Sequence, residues 1–377
     1  MGNFFKDLKD NLIGQYNTCP AYKYLCDSQG FDPCVHLNTP VDLQEAPFIA
    51  TTLFKKSAQM YTSLLRVPLE AVDKWTVSSS TSGDPSIVGR QVCDIMQMQR
   101  FNELNKDVYC PNTEQDLVFY PRPEVMKKYR SEVIYGKETE SYMGNLLDSF
   151  HFKENTVFVI KPEGDNLTVD MEEFIRFLMV HDGFDHHLSI RGSTPLLYSA
   201  VSKLKETMNP FCLGKHVLVH TGGGGWDGKK GTVSIGTNIR KQEFVECISD
   251  FLGIPEENFI DSYSFTENCF PLTGRYSKEY KDFLFQIPSW GKVVIRDTRT
   301  LKPLQNRGEQ GFIQMMNAYG TATFAGASIL VDDIGEIVSD QEYPDGSRQL
   351  TAMRIIGRVK GAEAKGCGAT LNVDKKE

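Results

Sequence analysis

Four polar clusters and one thiol in this 377-residue chain have the residue types and the order needed to handle a charged ligand. Ser78-Ser79-Ser80-Thr81-Ser82-Gly83 sets five hydroxyls before a glycine. A turn of that composition can converge its backbone N–H groups on an anion such as phosphate; a solvated loop is the plainer reading. His220-Thr221-Gly222-Gly223-Gly224-Gly225-Trp226 follows the β-rich run 217–219, so four glycines stand where a strand ends. A flat ligand could approach the bare backbone at that sheet edge, with a flexible loop as the alternative. Thr266-Glu267 follows another strand-like run, 259–265. Mg²⁺ takes one or two carboxylates and completes its shell with water and phosphate oxygen, so the pair suits a metal triphosphate; a helix N-cap uses the same two residue types. Asp332-Asp333 and Arg358 close two further strand-like runs. Aspartate accepts from ribose hydroxyls and arginine donates to ribose or phosphate oxygen, although each is by itself also an ordinary turn residue or surface ion pair.

Cys367 lies in the polar, glycine-flanked stretch Lys365-Gly366-Cys367-Gly368. Most of the other eight cysteines are expected to be buried core thiols. Cys367 stands nine positions after Arg358, a span that reaches ~30 Å when extended. Lys365 and Arg358 are cations that would favour its thiolate. The cluster His181, Asp182, Asp185, His186 and His187 lacks a fixed ligand spacing and reads as a solvated turn, and Met315-Met316 reads as core filler.

The elements that must position these groups change character along the chain. Apolar spacing predicts helices over 4–16, from 20 onward, and over 57–74 and 90–104. From about 150, short β-rich runs at 157–162, 187–191 and 216–221 alternate with helical patterns at 171–181, 195–208 and 241–252, the last closed by Gly253. Strand alternating with helix implies an α/β fold whose mostly parallel sheet is covered by helices. Beyond about 282 strands dominate, which implies a smaller, more antiparallel β subdomain forming a second layer. No repeat or linker divides the chain.

Composition narrows the function classes. A net charge of -8 argues against a nucleic-acid partner, and hydrophobic residues at 40% with charged at 24% are those of a globular protein. No apolar run approaches the ~20 residues of a membrane span, and the charged start does not look like a signal peptide. Nine cysteines without a close Cys-x-x-Cys pair read as reduced thiols, so a cytoplasmic location is expected.

Taken in order, WTVSSSTSG, HTGGGGW, DSYSFTENCF, the stretch 300–335 and RIIGRVKGAEAKGCGATL, preceded by APFIATTLFKK, resemble the LuxE-type acyl-protein synthetases of the adenylate-forming superfamily. The resemblance implies that Ser79, Thr81, Ser82 and Gly83 cradle ATP phosphates and that Gly223, Gly224 and Gly225 face adenine. Thr266 and Glu267 would contact phosphate and Mg²⁺, with Glu267 as the metal ligand, and Asp333 (or Asp332) and Arg358 would bind ribose. Residues 1–356 would form the catalytic core and 357–377 a short tail carrying the acyl-accepting Cys367, with no full C-terminal lid domain. The implied activity is ATP-dependent conversion of a fatty acid to acyl-AMP and its capture on Cys367 for an acyl reductase partner. A phenylacetate-CoA-ligase-like enzyme and a non-catalytic binding protein are the rival readings. Three positions depart from the pattern: Ser80 and Ser264 replace glycines, and Ser86 stands near the place of a lysine.

Overall fold

The computed structural model describes residues 3–78, 84–109, 111–129, 131–163, 166–230, 233–234, 238–342 and 348–358. Its centre is a 12-stranded sheet. Val157–Phe158, Gln115–Phe119, Leu188–Gly192, Val217–Gly222 and Phe259–Tyr263 lie side by side and run parallel. They are largely buried, and carry buried polar residues such as Asp116, Ser189, Arg191 and Asp261 among their apolar ones. The helices between them bury one stripe each, as their spacing requires. Met171–His181 buries Phe174, Phe177 and Leu178; Thr194–Lys205 buries Leu197, Ala200, Val201 and Leu204; Lys241–Leu252 buries Phe244, Val245, Ile248 and Phe251. Asp170 caps the first by accepting from Glu173 N at 3.1 Å.

The strand-rich remainder does not stack as a separate layer. Leu272–Ser277 pairs antiparallel with Phe259–Tyr263, and Asp282–Gln286, Arg348–Arg358, Ser328–Glu342, Gly311–Asn317 and Gly291–Arg296 continue the same sheet outward. The antiparallel subdomain is thus hydrogen-bonded directly to the parallel one. Helix-free connections at 264–271 and 278–281 make this geometry natural, because antiparallel neighbours need no crossover helix. The N-terminal helices Phe4–Thr18 and Pro20–Ser28 cover this half. Gln15 Oε1 accepts from Ala327 N at 3.0 Å, and Asn11 Nδ2 donates to Asn317 O at 2.9 Å.

The helix expected over 57–74 is absent. That stretch forms short 3₁₀ turns at Lys56–Ala58 and Leu69–Ala71 and enters the strand Lys74–Val77. Pro68 has no N–H to give a helix, and Leu65, Val72 and Trp75 gather into a local cluster with Tyr61, Val67 and Leu69. Lys74–Val77 pairs with Ile87–Arg90 as a hairpin and with Lys137–Ser141 in parallel, forming a small second sheet. Met315 and Met316 are buried as expected.

Gly253 ends its helix in the left-handed region at φ 64, and a Cβ there would lie 2.9 Å from both Cys212 Cα and Phe211 O. Gly253→Ala should therefore cost about 1–3 kcal/mol of stability, read from urea denaturation. An unchanged midpoint would show that this cap tolerates a side chain.

Candidate functional site

The carboxyl ends of the parallel strands converge on one edge, and most of the described candidate residues lie along it. Val217–Gly222 runs out into Gly223, Gly224 and Gly225, whose φ angles are 75, 71 and 89. Three consecutive positive φ values are accessible to glycine and strained for other residues, which is why the letters repeat. Tyr120 donates to Gly222 O at 2.8 Å, and Trp226 closes the turn by burying its ring against Phe244 and Phe283 while Nε1 donates to Asp261 Oδ2 at 3.3 Å. The glycine stretch is thus pinned at both ends.

Thr266-Glu267 emerges from the next strand as a tight turn. No helix starts there, so the cap reading falls. Both residues are 2% exposed. Their backbone is held by a residue that sequence reasoning missed: Arg90, fully buried at 0% exposure, donates through Nη2 to Thr266 O at 2.6 Å and Asn268 O at 3.1 Å. Its Nε donates to Thr76 Oγ1 at 3.3 Å, and a longer contact runs from Nη1 to Gly320 O at 3.5 Å. Arg90 ends the strand that follows the hydroxyl turn, so one guanidinium ties the Thr76 hairpin to the Thr-Glu turn. The available signal was a charge terminating the otherwise apolar Ile87-Val88-Gly89.

Asp333 is buried and accepts from Tyr263 Oη at 2.7 Å, while Asp332 is half-buried. On the neighbouring strand Arg358 is the register partner of Asp333. The two ribose candidates are thus side by side, and Tyr263 joins them to the strand leading into Thr266. Nothing in the spacing could have signalled that tyrosine.

Ser79, Ser80, Thr81, Ser82 and Gly83, and Cys367 with Lys365, lie outside the described residues. The ends of the hydroxyl turn are described. Ser78 N donates to Ser86 O at 3.0 Å, and Ser86 N donates to Ser78 Oγ at 2.8 Å. Ser57 donates to the Asp84 carboxylate through N and Oγ, and buried Lys55 donates through Nζ to Asp84 O at 3.0 Å. A turn with no lysine of its own therefore has an ammonium beside it from another segment.

Beside the glycine turn a half-open pocket, narrow inside and opening to solvent, is lined by Gly192, Gly222, Gly223 and Ser264. Met143, Leu146, Leu147 and Phe150 form an apolar wall, and Arg191 and His220 close another side. Burial first, then the nearby charges of Arg191 and Arg275, push His220 down to about 3, so its imidazole is neutral near pH 7. It shares a 2.7 Å hydrogen bond with Ser262 Oγ. Behind the turn, burial pushes Asp261 up to about 6 against the opposing pull of Lys241 and of hydrogen bonds from Thr221 and Trp226.

Two other expectations concern groups elsewhere. Among the described residues no cluster of His, Cys, Asp and Glu could hold a metal ion, and in the 181–187 stretch His181 instead bonds His186 and Gln115. The described cysteines are free, but only Cys19, Cys26 and Cys269 are buried; Cys34, Cys93 and Cys212 are exposed, on surface segments that apolar counting could not distinguish from core. No described helix is long and apolar enough to cross a membrane.

Solved structures share this architecture. A 2-hydroxyisobutyryl-CoA ligase in an open conformation, with 2-HIB-AMP and CoA, superposes with a TM-score of 0.62 at 14% identity, over 95% of this chain and 74% of that one. The same ligase in its thioesterification state gives 0.62 at 15% identity, over 96% and 69%. Among curated proteins, none matches by sequence. At that identity the likeness defines the fold class, the one these ligases share. Within that class, the family model described as acyl-protein synthetase, LuxE, matches residues 3–375, and the chain belongs to that family.

Arg90→Met would leave the carbonyls of Thr266 and Asn268 buried without this donor and should destabilise the protein by about 3 kcal/mol in urea denaturation. Arg90→Lys, which keeps the charge and loses the fork, should lie between. A second outcome concerns pH. A histidine whose folded pKa is depressed contributes stability above 6.5 that is lost as pH falls toward about 3. His220→Asn should flatten the acid limb of stability over that window, by on the order of 1 kcal/mol per pH unit. Denaturation midpoints at pH 7, 6, 5 and 4 that fall equally in both proteins would contradict the neutral-imidazole assignment.

Proposed function

We propose that this protein couples ATP to the activation of a carboxylic acid and then holds the acyl group on Cys367 as a thioester, for delivery to an acyl reductase partner. The observation that carries the reading is the bond from Tyr263 Oη to Asp333, the register partner of Arg358, on the strand that leads into Thr266-Glu267 beside the cavity lined by Gly223 and Ser264, in a chain matched along its length by the family model. In the first half-reaction a carboxylate oxygen bonds to the α-phosphorus, the bond to the β-phosphate oxygen breaks, and pyrophosphate leaves. The chain's own work there is to position and to neutralise charge.

Each group has a role within that scheme. The bare glycine backbone would admit adenine, Asp333 would accept from ribose hydroxyls, and Arg358 would donate to ribose. Thr266 would donate to a phosphate oxygen, with Ser79, Thr81, Ser82 and Gly83 cradling the rest. Lys55 stands beside that turn as a cation. Glu267 fits Mg²⁺, because a buried carboxylate on a backbone fixed by Arg90 offers the hard oxygen such an ion prefers. When bound, that ion neutralises triphosphate charge. In the second half-reaction the Cys367 thiol gives up its proton, sulfur bonds to the acyl carbon, and the carbon–oxygen bond to AMP breaks. The resemblance implies a fatty acid as substrate, and the wall of Met143, Leu146 and Leu147 accepts hydrocarbon.

The test is acid-dependent exchange of labelled pyrophosphate into ATP, together with covalent labelling of the intact protein by labelled acid. Cys367→Ser should keep exchange and lose the label, and Glu267→Gln should lose exchange by about 100-fold or more. Label that survives Cys367→Ser would refute the thioester assignment. AMP release by that variant only with coenzyme A present would identify an acyl-CoA ligase instead.

A further inference from the structure

The glycine turn is bracketed by two residues that bond to the same carboxylate. Thr221 is the register partner of Asp261 on the neighbouring strand, and its hydroxyl donates to Asp261 Oδ1 at 3.0 Å. Trp226, on the far side of the glycines 222–225, donates through Nε1 to Asp261 Oδ2 at 3.3 Å. All three side chains are buried, the carboxylate at 3% exposure. One side chain therefore spans the turn, from the residue before its glycines to the residue after them.

A glycine run needs such a clamp. Bare backbone adopts either sign of φ freely, so nothing within 222–225 selects the left-handed angles of 75, 71 and 89 at Gly223, Gly224 and Gly225. The selection has to come from the ends. An ionised carboxylate accepts from both donors at once, and bonds to a charged acceptor are roughly twice as strong as neutral ones. A protonated one is a poorer match. Its O–H has a partner only towards Thr221, whose hydroxyl can turn round to accept, because the indole N–H can only donate.

The surroundings leave that carboxyl close to the point of titration. Phe244 and Phe283, which pack on the indole, and Gly274, the register partner of Asp261 on its other side, bring no charge. Lys241, at the start of the helix that carries Phe244, is the cation that acts on it. The ammonium is itself bound to Asp282 at 2.5 Å and to Ile355 O at 2.7 Å, and Arg354 joins Asp282 to Glu336. Burial outweighs the pull of Lys241 and brings the carboxyl up to about 6, so it is mostly ionised at pH 8 and mostly protonated at pH 5.

We propose that Asp261 is a positioning residue for the nucleotide: as a carboxylate it holds the glycine turn in the shape that accepts adenine, and on protonation it lets that shape loosen. This rests on the nucleotide site proposed above and adds a pH dependence to it. Because adenine takes no part in the bond changes, the effect falls on ATP affinity and not on the chemical step.

The test measures Mg·ATP binding to the full chain by calorimetry at pH 5, 6, 7 and 8, for the unmodified protein and Asp261→Asn. Over the same range it measures the ATP KM and the kcat of pyrophosphate exchange with carboxylic acids from acetate to hexadecanoate. The amide can turn its oxygen to the indole N–H and its NH₂ to Thr221, so the variant reproduces the protonated pattern and cannot titrate. Taking the ratio of the two affinities cancels the titration of ATP itself. The unmodified protein should bind about tenfold more tightly than the variant at pH 8, with the gap closing to about twofold at pH 5 and kcat alike in both. Emission from Trp226, taken as the difference from Trp226→Phe, should titrate near pH 6 without nucleotide and stay flat when Asp261 is Asn. An affinity ratio that stays constant from pH 5 to pH 8, or a change confined to kcat, would overturn the proposal while leaving acid activation standing. The expected ratio without exchange would sustain the Asp261 assignment and count against activation. If ATP binds at no pH, both fall.

Discussion

A guanidinium with no access to water holds the site together. Arg90 must find acceptors inside the protein or exact several kcal/mol from the fold, and it finds them in the carbonyls of Thr266 and Asn268 and the hydroxyl of Thr76. Those acceptors belong to segments nearly two hundred residues apart in sequence. Satisfying one side chain therefore fixes where the Thr-Glu turn sits relative to the hairpin whose far end carries the hydroxyls. Carbonyl acceptors are well suited to the task, because they leave the carboxylate of Glu267 outside the clamp. Tyr263 extends the same logic in the other direction by joining the strand before Thr266 to Asp333.

The continuous sheet makes this arrangement stiff. The parallel half presents the glycine turn and the cavity, and the antiparallel half presents Asp333 and Arg358. Because Phe259–Tyr263 pairs with strands of both halves, the two sets of residues are connected by a backbone ladder with no hinge between them. The backbone positions of these residues are then set by hydrogen-bonded strands. Buried Lys55 and the Ser57–Asp84 bonds fasten the hairpin end to a further segment.

Much of this was legible in the letters. The stretch 157–253 alternates β-rich runs with helical periods so regularly that strands and helices fall close to where spacing puts them. Gly223–Gly225 repeat because their backbone is left-handed, and Gly253 marks its helix end for the same reason. What spacing could not convey was contact between distant segments. Arg90 reads as an ordinary strand-ending charge until Thr266 is placed beside it, and Lys55 as one of many surface lysines until Asp84 folds over it. The misjudged helix at 57–74 has a related cause: its apolar residues do recur at helical intervals, but they bury against Trp75 as a local cluster, with Pro68 denying the helix its hydrogen bonds. The thiols at Cys34, Cys93 and Cys212 show the same limit, since polarity near a cysteine does not report its exposure.

The register that sets Arg358 opposite Asp333 has a kinetic consequence. On the proposed reading, a sulfur nine residues further along the chain would be tethered to the nucleotide site and could lie no more than ~30 Å from Arg358. Connections of that length give effective concentrations on the order of millimolar, so self-capture of an activated acyl group would be first-order in protein and indifferent to dilution. Free thiols of the surrounding medium would have to reach similar concentrations before they intercepted it.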